Sequence, residues 1–239
     1  MTRHILPLQA ENLRYSVDGK SLVDGVSLTI DPGTFTVVLG PNGAGKSLLL
    51  RLLHGMLMPT SGTISWSDGT NGVLRRRQAM VFQRPVLLRR SVEANIGYAL
   101  GALGVPRSQR AAMIDLALNR ADLEAARRIP ARLLSVGEQQ RLAVARALAC
   151  DPDIVFLDEP TASLDPASVQ RIETLLADAS SRGMAIVLVT HDVAQARRLG
   201  RQIVFLHSGR LVEQTAAGTF FETPQSDVAR AYLAGDIVV

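Results

Sequence analysis

Gly40-Pro41-Asn42-Gly43-Ala44-Gly45-Lys46-Ser47 is the stretch from which the chain is read. It follows the apolar run Thr34-Phe35-Thr36-Val37-Val38-Leu39 and leads into the leucine-rich Leu48–Leu53. Strand, glycine-rich loop and helix in that order, at the spacing G-x-x-x-x-G-K-[ST], make a phosphate-binding loop. Glycines let successive backbone N–H groups turn inward around a polyphosphate, because no Cβ blocks φ > 0 or close approach. A helix starting near Ser47 adds its unpaired N–H groups and the positive end of its dipole. Lys46 can reach the β- and γ-phosphates, and the Ser47 hydroxyl can hold Mg²⁺. The basic residues sharpen this reading. They number 24 Arg and two Lys, Lys20 and Lys46. An almost wholly arginine-using chain keeps a compact ammonium where a planar guanidinium fork would not fit between phosphates.

Length and composition set the frame. With 239 residues, 47% of them apolar and 20% charged, the chain reads as one α/β domain, or one with a subdomain, with an ordinary globular balance. Its longest apolar stretches, such as Met184–Val189, have strand length, far below the roughly 18–20 residues of a membrane span. The start lacks the apolar segment of a signal peptide. The one cysteine, Cys150, excludes an intramolecular disulfide and reads as a small packing residue. A net charge of +4 permits contact with anionic partners, but the arginines are scattered, which favours a solvated surface.

Outward from the loop, residues 8–38 read as short strands separated by turns at Asp18-Gly19, Asp24-Gly25 and Pro32-Gly33. Thr63–Trp66 and Gln78–Phe82 are two more, the second ending at Gln83. The triplet Arg75-Arg76-Arg77 reads as a solvated face. From Ser91 to Cys150 the pattern is helical, interrupted at Gly104-Val105-Pro106 and near Ile129-Pro130, with Met113, Leu116, Ala117 and Leu123 expected to pack. Within it, Ser135 and Glu138 have the spacing of a capping box.

The second half supplies carboxylates and a histidine. Ile154-Val155-Phe156-Leu157 is a continuous apolar run suited to a buried parallel strand, and it ends in Asp158-Glu159. Ligands bind at that edge of an open α/β sheet. Asp158 can serve Mg²⁺, and Glu159 can orient and deprotonate a water. Asp165-Pro166 caps a helix running to about Arg182. The strand Met184–Thr190 then delivers His191 to the same edge, as a γ-phosphate sensor. Arg201–Gln214 forms a hairpin turned at Ser208-Gly209, and Asp227–Leu233 a closing helix.

Together these motifs resemble the nucleotide-binding domain of an ATP-binding cassette (ABC) transporter, over essentially the whole chain. Tyr15 matches the adenine-stacking aromatic, Gly40–Ser47 the Walker A loop and Gln83 the Q-loop. Leu134–Gln140 matches the signature motif, with Val136 at its first glycine and Glu138 at its glutamine. Ile154–Glu159 matches the Walker B strand with its catalytic glutamate, Ser163–Asp165 the D-loop, and His191 the switch histidine.

The resemblance implies a RecA-like P-loop NTPase core with an antiparallel β subdomain (residues 1–84 and 151–239). A helical subdomain (85–150) is inserted in it. It implies ATP and Mg²⁺, with Glu159, His191 and Gln83 catalytic and Ser47, Gln83 and Asp158 serving the metal. It also implies a head-to-tail homodimer in which Ser135 and Gly137 of one copy close over ATP on the Walker loops of the other. Expected partners are transmembrane permease subunits and, through them, an extracytoplasmic solute-binding protein. The expected place is the inner face of the cell membrane, with no nucleic acid involved. A soluble ABC ATPase acting on nucleic acid or ribosomes would carry two cassettes or a long coiled-coil insertion. Only 48 residues follow His191, short of the added regulatory domain of many sugar and molybdate importers. Met80–Val92 and the ending Phe220–Gly235 resemble tungstate-importer ATPases, with phosphate, molybdate and amino-acid importers as alternatives.

Overall fold

A computed structural model describes residues 5–67 and 77–236. Arg75 and Arg76 lie outside the described residues. Arg77 corrects the solvated-face reading, because its guanidinium pairs with the buried Asp153 carboxylate through Nε and a second nitrogen.

Two sheets frame the site. The larger contains β3 (Phe35–Leu39), β5 (Gln78–Val81), β6 (Ile154–Asp158), β7 (Ala185–Val189), β8 (Gln202–His207) and β9 (Arg210–Ala216), in the order β5-β6-β7-β3-β8-β9. All neighbours are parallel except β8 and β9, which form the expected hairpin. The smaller sheet is antiparallel, with β1 (Leu8–Val17) between β2 (Lys20–Ile30) and β4 (Ser61–Trp66). Asp24-Gly25 is not a turn, as the sequence suggested. β2 runs through it, and Gly25 at φ 69 sits where the β1–β2 register slips. Gly25 absorbs an irregularity within one long strand, which the same residue pair would signal as a chain reversal.

Central strands of the large sheet are buried on both faces, and alternate residues feed two separate cores. Val38, Phe156, Val187 and Val204 face one core. That core is filled by Leu49, Leu50, Leu52 and Leu53 of α1 (Lys46–His54) and by the antiparallel sheet. The phosphate-loop helix is thus held between two sheets. Gly55 at φ 80 ends it, donating its N–H to carbonyls of the last turn.

Val37, Leu39, Val155, Leu157, Ile186 and Phe205 face the other core. There they meet α2 (Val92–Ala102), α3 (Arg107–Arg120), α4 (Val136–Leu148), α5 (Pro166–Ser181), α6 (Val193–Leu199), α7 (Ala217–Glu222) and α8 (Asp227–Ala234). The break between α3 and α4 is longer than Ile129-Pro130 suggested, spanning residues 121–135 with one 3₁₀ turn at Ala131–Leu133. Leu116 is not a packing residue. It is 49% exposed, while Ala117, Leu118 and Leu123 are buried, so the apolar stripe is narrower than the spacing implied. Among the described residues no helix is long and apolar enough to cross a membrane.

Candidate active site

Because β5, β6, β7, β3 and β8 are parallel, their C-terminal ends share one edge. Gly40 follows β3, Asp158 ends β6, His191 lies two residues past β7, and Gln83 two past β5. Four segments distant in sequence are therefore neighbours by topology, at the edge where such sheets bind ligands.

The loop is tightly built. Gly40, Gly43 and Gly45 have φ of 148, 81 and 92°. A Cβ on Gly40 would collide with the Leu206 carbonyl, and one on Gly45 would lie 2.7 Å from the Leu22 carbonyl. The cradle exists because those side chains are missing. Lys46 is 6% exposed, and its ammonium donates to the carbonyls of Gly40 (2.8 Å) and Pro41 (2.9 Å). Burial pushes the Lys46 pKa down, against the opposing pull of Glu159 and Asp158. The Ser47 hydroxyl donates to Asp158 Oδ1 at 2.6 Å, joining residues 111 apart in sequence. Arg51 adds a longer ion pair to Asp158, at 3.9 Å. A hydroxyl and a carboxylate side by side are hard oxygen donors, and they fit Mg²⁺ held jointly with substrate phosphates. Such a site does not need a cluster of three acidic or imidazole groups, and none occurs among the described residues.

Glu159 has φ 45, a left-handed conformation that costs a non-glycine residue about 1–3 kcal/mol. Its N–H donates to the Val189 carbonyl (3.0 Å), and its Oε2 lies 3.2 Å from Nδ1 of the exposed His191. The carboxylate is turned away from Asp158's role and toward the histidine. Gln83 is exposed and makes no hydrogen bond to Ser47 or Asp158. Tyr15 sits half-buried on β1 against the apolar core beneath α1.

Leu134–Gln140 lies elsewhere. Ser135 caps α4 with both bonds of the capping box, and its hydroxyl also lies 2.7 Å from Glu138 Oε2. In this arrangement the hydroxyl proton is directed at Glu138. Val136 is 65% exposed. Gly137 is buried, and a Cβ there would strike Ser168 on α5, 2.9 Å from its Cβ and closer still to its Oγ. Its glycine identity thus has a packing reason inside this chain, besides the phosphate contact that the motif implies. Among the described residues no hydrogen bond or ion pair joins Leu134–Gln140 to Gly40–Ser47. A single chain keeps the two apart.

Two contacts had no sequence signal. Tyr232, on α8, has its hydroxyl 3.5 Å from the His191 carbonyl and its ring 5.2 Å from Phe205. Gln195, on α6, is buried and bonded to the loop that follows Glu159. Partners 34 and 41 residues away leave no local pattern to read. Cys150 packs against the core as expected, and burial raises its thiol pKa to about 11, which keeps it unreactive.

Residues 23–162 match the family described as ABC transporter. The chain is 39% identical, over 87% of its length and 98% of the relative's, to the tungstate uptake system ATP-binding protein TupC of Peptoclostridium acidaminophilum. It is 36% identical, over 97% of its length and 87% of the relative's, to the phosphate import ATP-binding protein PstB 2 of Natronomonas pharaonis. A dimeric post-hydrolysis structure of the ATP-binding cassette MJ0796 with ADP and Pi superposes with a TM-score of 0.76 at 28% identity, covering 88% of this chain and 98% of that one. The chain belongs to the ABC transporter family, among its ATP-hydrolysing subunits.

Proposed function

We propose that this chain is the ATPase subunit of a tungstate importer, acting as a head-to-tail pair on the inner face of the membrane. The observation that carries the ATPase part is the gathering of Lys46, Ser47, Asp158, Glu159 and His191 on one sheet edge, with the segment around Ser135 turned outward elsewhere. The Walker loop residues Gly40 to Ser47 hold the phosphates of ATP through backbone N–H groups and the Lys46 ammonium, and Tyr15 supports the base. Ser47 and Asp158, with Gln83, are the residues that would hold Mg²⁺, which when bound neutralises charge on the β- and γ-phosphates. Glu159 takes a proton from the attacking water. The water oxygen bonds to the γ-phosphorus while the bond to the bridging oxygen breaks, and ADP leaves with that electron pair. His191, 3.2 Å from Glu159, steadies the carboxylate and faces the γ-phosphate. Ser135 and Gly137 of a second copy exclude water from the open side. Residues 85–150 serve as the helical subdomain that carries this closing segment, and Pro85–Leu88 meets the permease.

Glu159→Gln tests the chemistry. It should retain ATP binding and slow hydrolysis about 10²–10⁴-fold. Near-normal turnover would overturn the assignment.

The cargo rests on a different kind of support, since no residue of this subunit touches it. The 39% identity to a tungstate uptake protein favours tungstate, and the 36% identity to a phosphate importer supports phosphate as a second reading. The complete transporter, with its permease and solute-binding protein in liposomes, should hydrolyse ATP faster with tungstate-loaded than with phosphate-loaded binding protein. Stimulation by phosphate alone would replace the cargo and leave the ATPase reading intact.

A further inference from the structure

We propose that Gln195 is a positioning residue that sets the placement of Glu159 relative to His191, an inference that rests on the reading of Glu159 above. Gln195 is 1% exposed, lies on α6 four residues past His191, and is not part of any motif in the sequence. Its backbone N–H donates to Asp192 Oδ1 (3.0 Å), so it closes the first turn of the helix that starts beside His191. Its side-chain Nε2 donates to Glu173 Oε1 on α5 (3.1 Å) and lies 3.1 Å from Thr161 Oγ1. Glu173 in turn accepts two bonds from Arg198, at 2.6 and 3.0 Å. One buried amide thus ties together the helix after His191, the helix after the acidic strand, and the loop after Glu159.

That loop needs a tie. It begins with Glu159 at φ 45 and passes Ser163 at φ 61, two non-glycine residues in the left-handed region. Such conformations last only where the surroundings impose them. Inside the loop, backbone bonds run only from Ala162 to Glu159 and from Leu164 to Thr161. Among the described residues, the side-chain hydrogen bond that joins residues 160–164 to another element is Thr161 with Gln195. Chemistry also explains the amide. A carboxylate at position 195 would face the Glu173 carboxylate at hydrogen-bond distance, whereas an amide can donate to it and to Thr161 at once. Linked polar groups in a buried setting act as a unit, so losing either end should release the loop.

The test uses the full chain at saturating protein concentration. Gln195→Leu and Thr161→Val should each lower kcat about tenfold with ATP binding changed less than about threefold, and the double variant should be no worse than Gln195→Leu, because both cut one bridge. Amide exchange at Ala162 and Leu164 should quicken in both variants. The exchange Gln195→Glu with Glu173→Gln keeps one amide and one carboxylate and should restore most of kcat, whereas Gln195→Glu alone should not. Thr161→Val alters only a hydroxyl in a loop, so the test survives if Gln195→Leu fails to fold. Unchanged kcat in Thr161→Val and in the folded Gln195 variants, beside a strong loss in Glu159→Gln, overturns the proposal and spares the Glu159 reading. A harmless Glu159→Gln overturns the reading beneath it, without recourse to any Gln195 variant.

Discussion

Gly40–Ser47 and Leu134–Gln140 both offer glycine and a helix N-terminus, yet they are built in opposite ways. In the first, the ammonium and the hydroxyl are already satisfied by the chain itself, Lys46 by two loop carbonyls and Ser47 by Asp158. Its helix is clamped between two sheets. In the second, Ser135 is exposed and bonds only within its own turn, and an apolar Val136 faces outward. The lesson concerns preorganisation. An ammonium held in place by two loop carbonyls keeps its third N–H for a phosphate, at little cost in reorganisation. Donors on a surface, tied only to their own helix, act when something else is brought to them.

Changing a residue in each region should widen or close that difference. The largest effect is expected from Lys46→Arg. The charge survives, but a planar fork cannot occupy the place of an ammonium wedged between two carbonyls under 3 Å away. Hydrolysis should fall about 10²–10³-fold, the scale of losing one well-aimed donor. Wild-type steady-state rates for Lys46→Arg would show that the loop is less shape-selective than its contacts imply.

Next comes Gly137→Ala, which separates packing from nucleotide contact. The added methyl meets Ser168, and overpacking of this kind costs about 1–3 kcal/mol. Adding Ser168→Gly makes room. If Gly137 is glycine for packing alone, the double variant should regain both its unfolding midpoint in urea and its hydrolysis rate. If a second copy's nucleotide also approaches the backbone at Gly137, stability returns and hydrolysis does not, and this second result is the one expected.

The smallest effects belong to the capping box. Ser135→Ala should cost about 1 kcal/mol of stability through the lost cap. ATP binding by the isolated chain should be untouched, since no bond links Ser135 to the Walker loop. Thermal unfolding and nucleotide titration check the two halves of that statement. Glu138 adds a pH signature. Hydrogen bonds from the Ser135 hydroxyl and N–H hold its carboxyl below the ordinary glutamate range. A lowered carboxylate pKa stabilises the fold above the unfolded value, about 4.3, and this contribution is lost as pH falls through the folded value. Glu138→Gln should therefore flatten the acid limb of the stability profile slightly, while leaving neutral-pH stability a little lower.

Local motifs were legible because their physics is local. The phosphate loop needs glycines at fixed steps and one ammonium, and Gly40–Ser47 writes both in eight consecutive residues. The Asp165 cap, the Ser135 capping box and the Ser208-Gly209 hairpin were readable for the same reason: each rests on bonds only a few residues apart. The buried strand ending in Asp158-Glu159 announced itself by a continuous apolar run. Signals with two meanings are not resolved by the sequence alone. Asp24-Gly25 can reverse a chain or relax a bulge, and only pairing with β1 chooses between them. Leu116 has the right helical spacing, but it lies on a side of α3 that stays half exposed.

The sequence by itself determined the class of fold, the phosphate loop and the acidic strand, because hydrophobic period, glycine spacing and caps act within one or two turns of chain. Tertiary structure alone decided which of these groups meet. Strand order brought Ser47 to Asp158 and Glu159 to His191. It also left Ser135 on a separate surface, set Gly137 against Ser168 and buried Gln195 against Thr161. Those contacts depend on the order in which parallel strands assemble and on how helices pack across them. No periodicity along the chain records that order, since each partner is specified by the shape and polarity of a place that exists only once the sheet has formed.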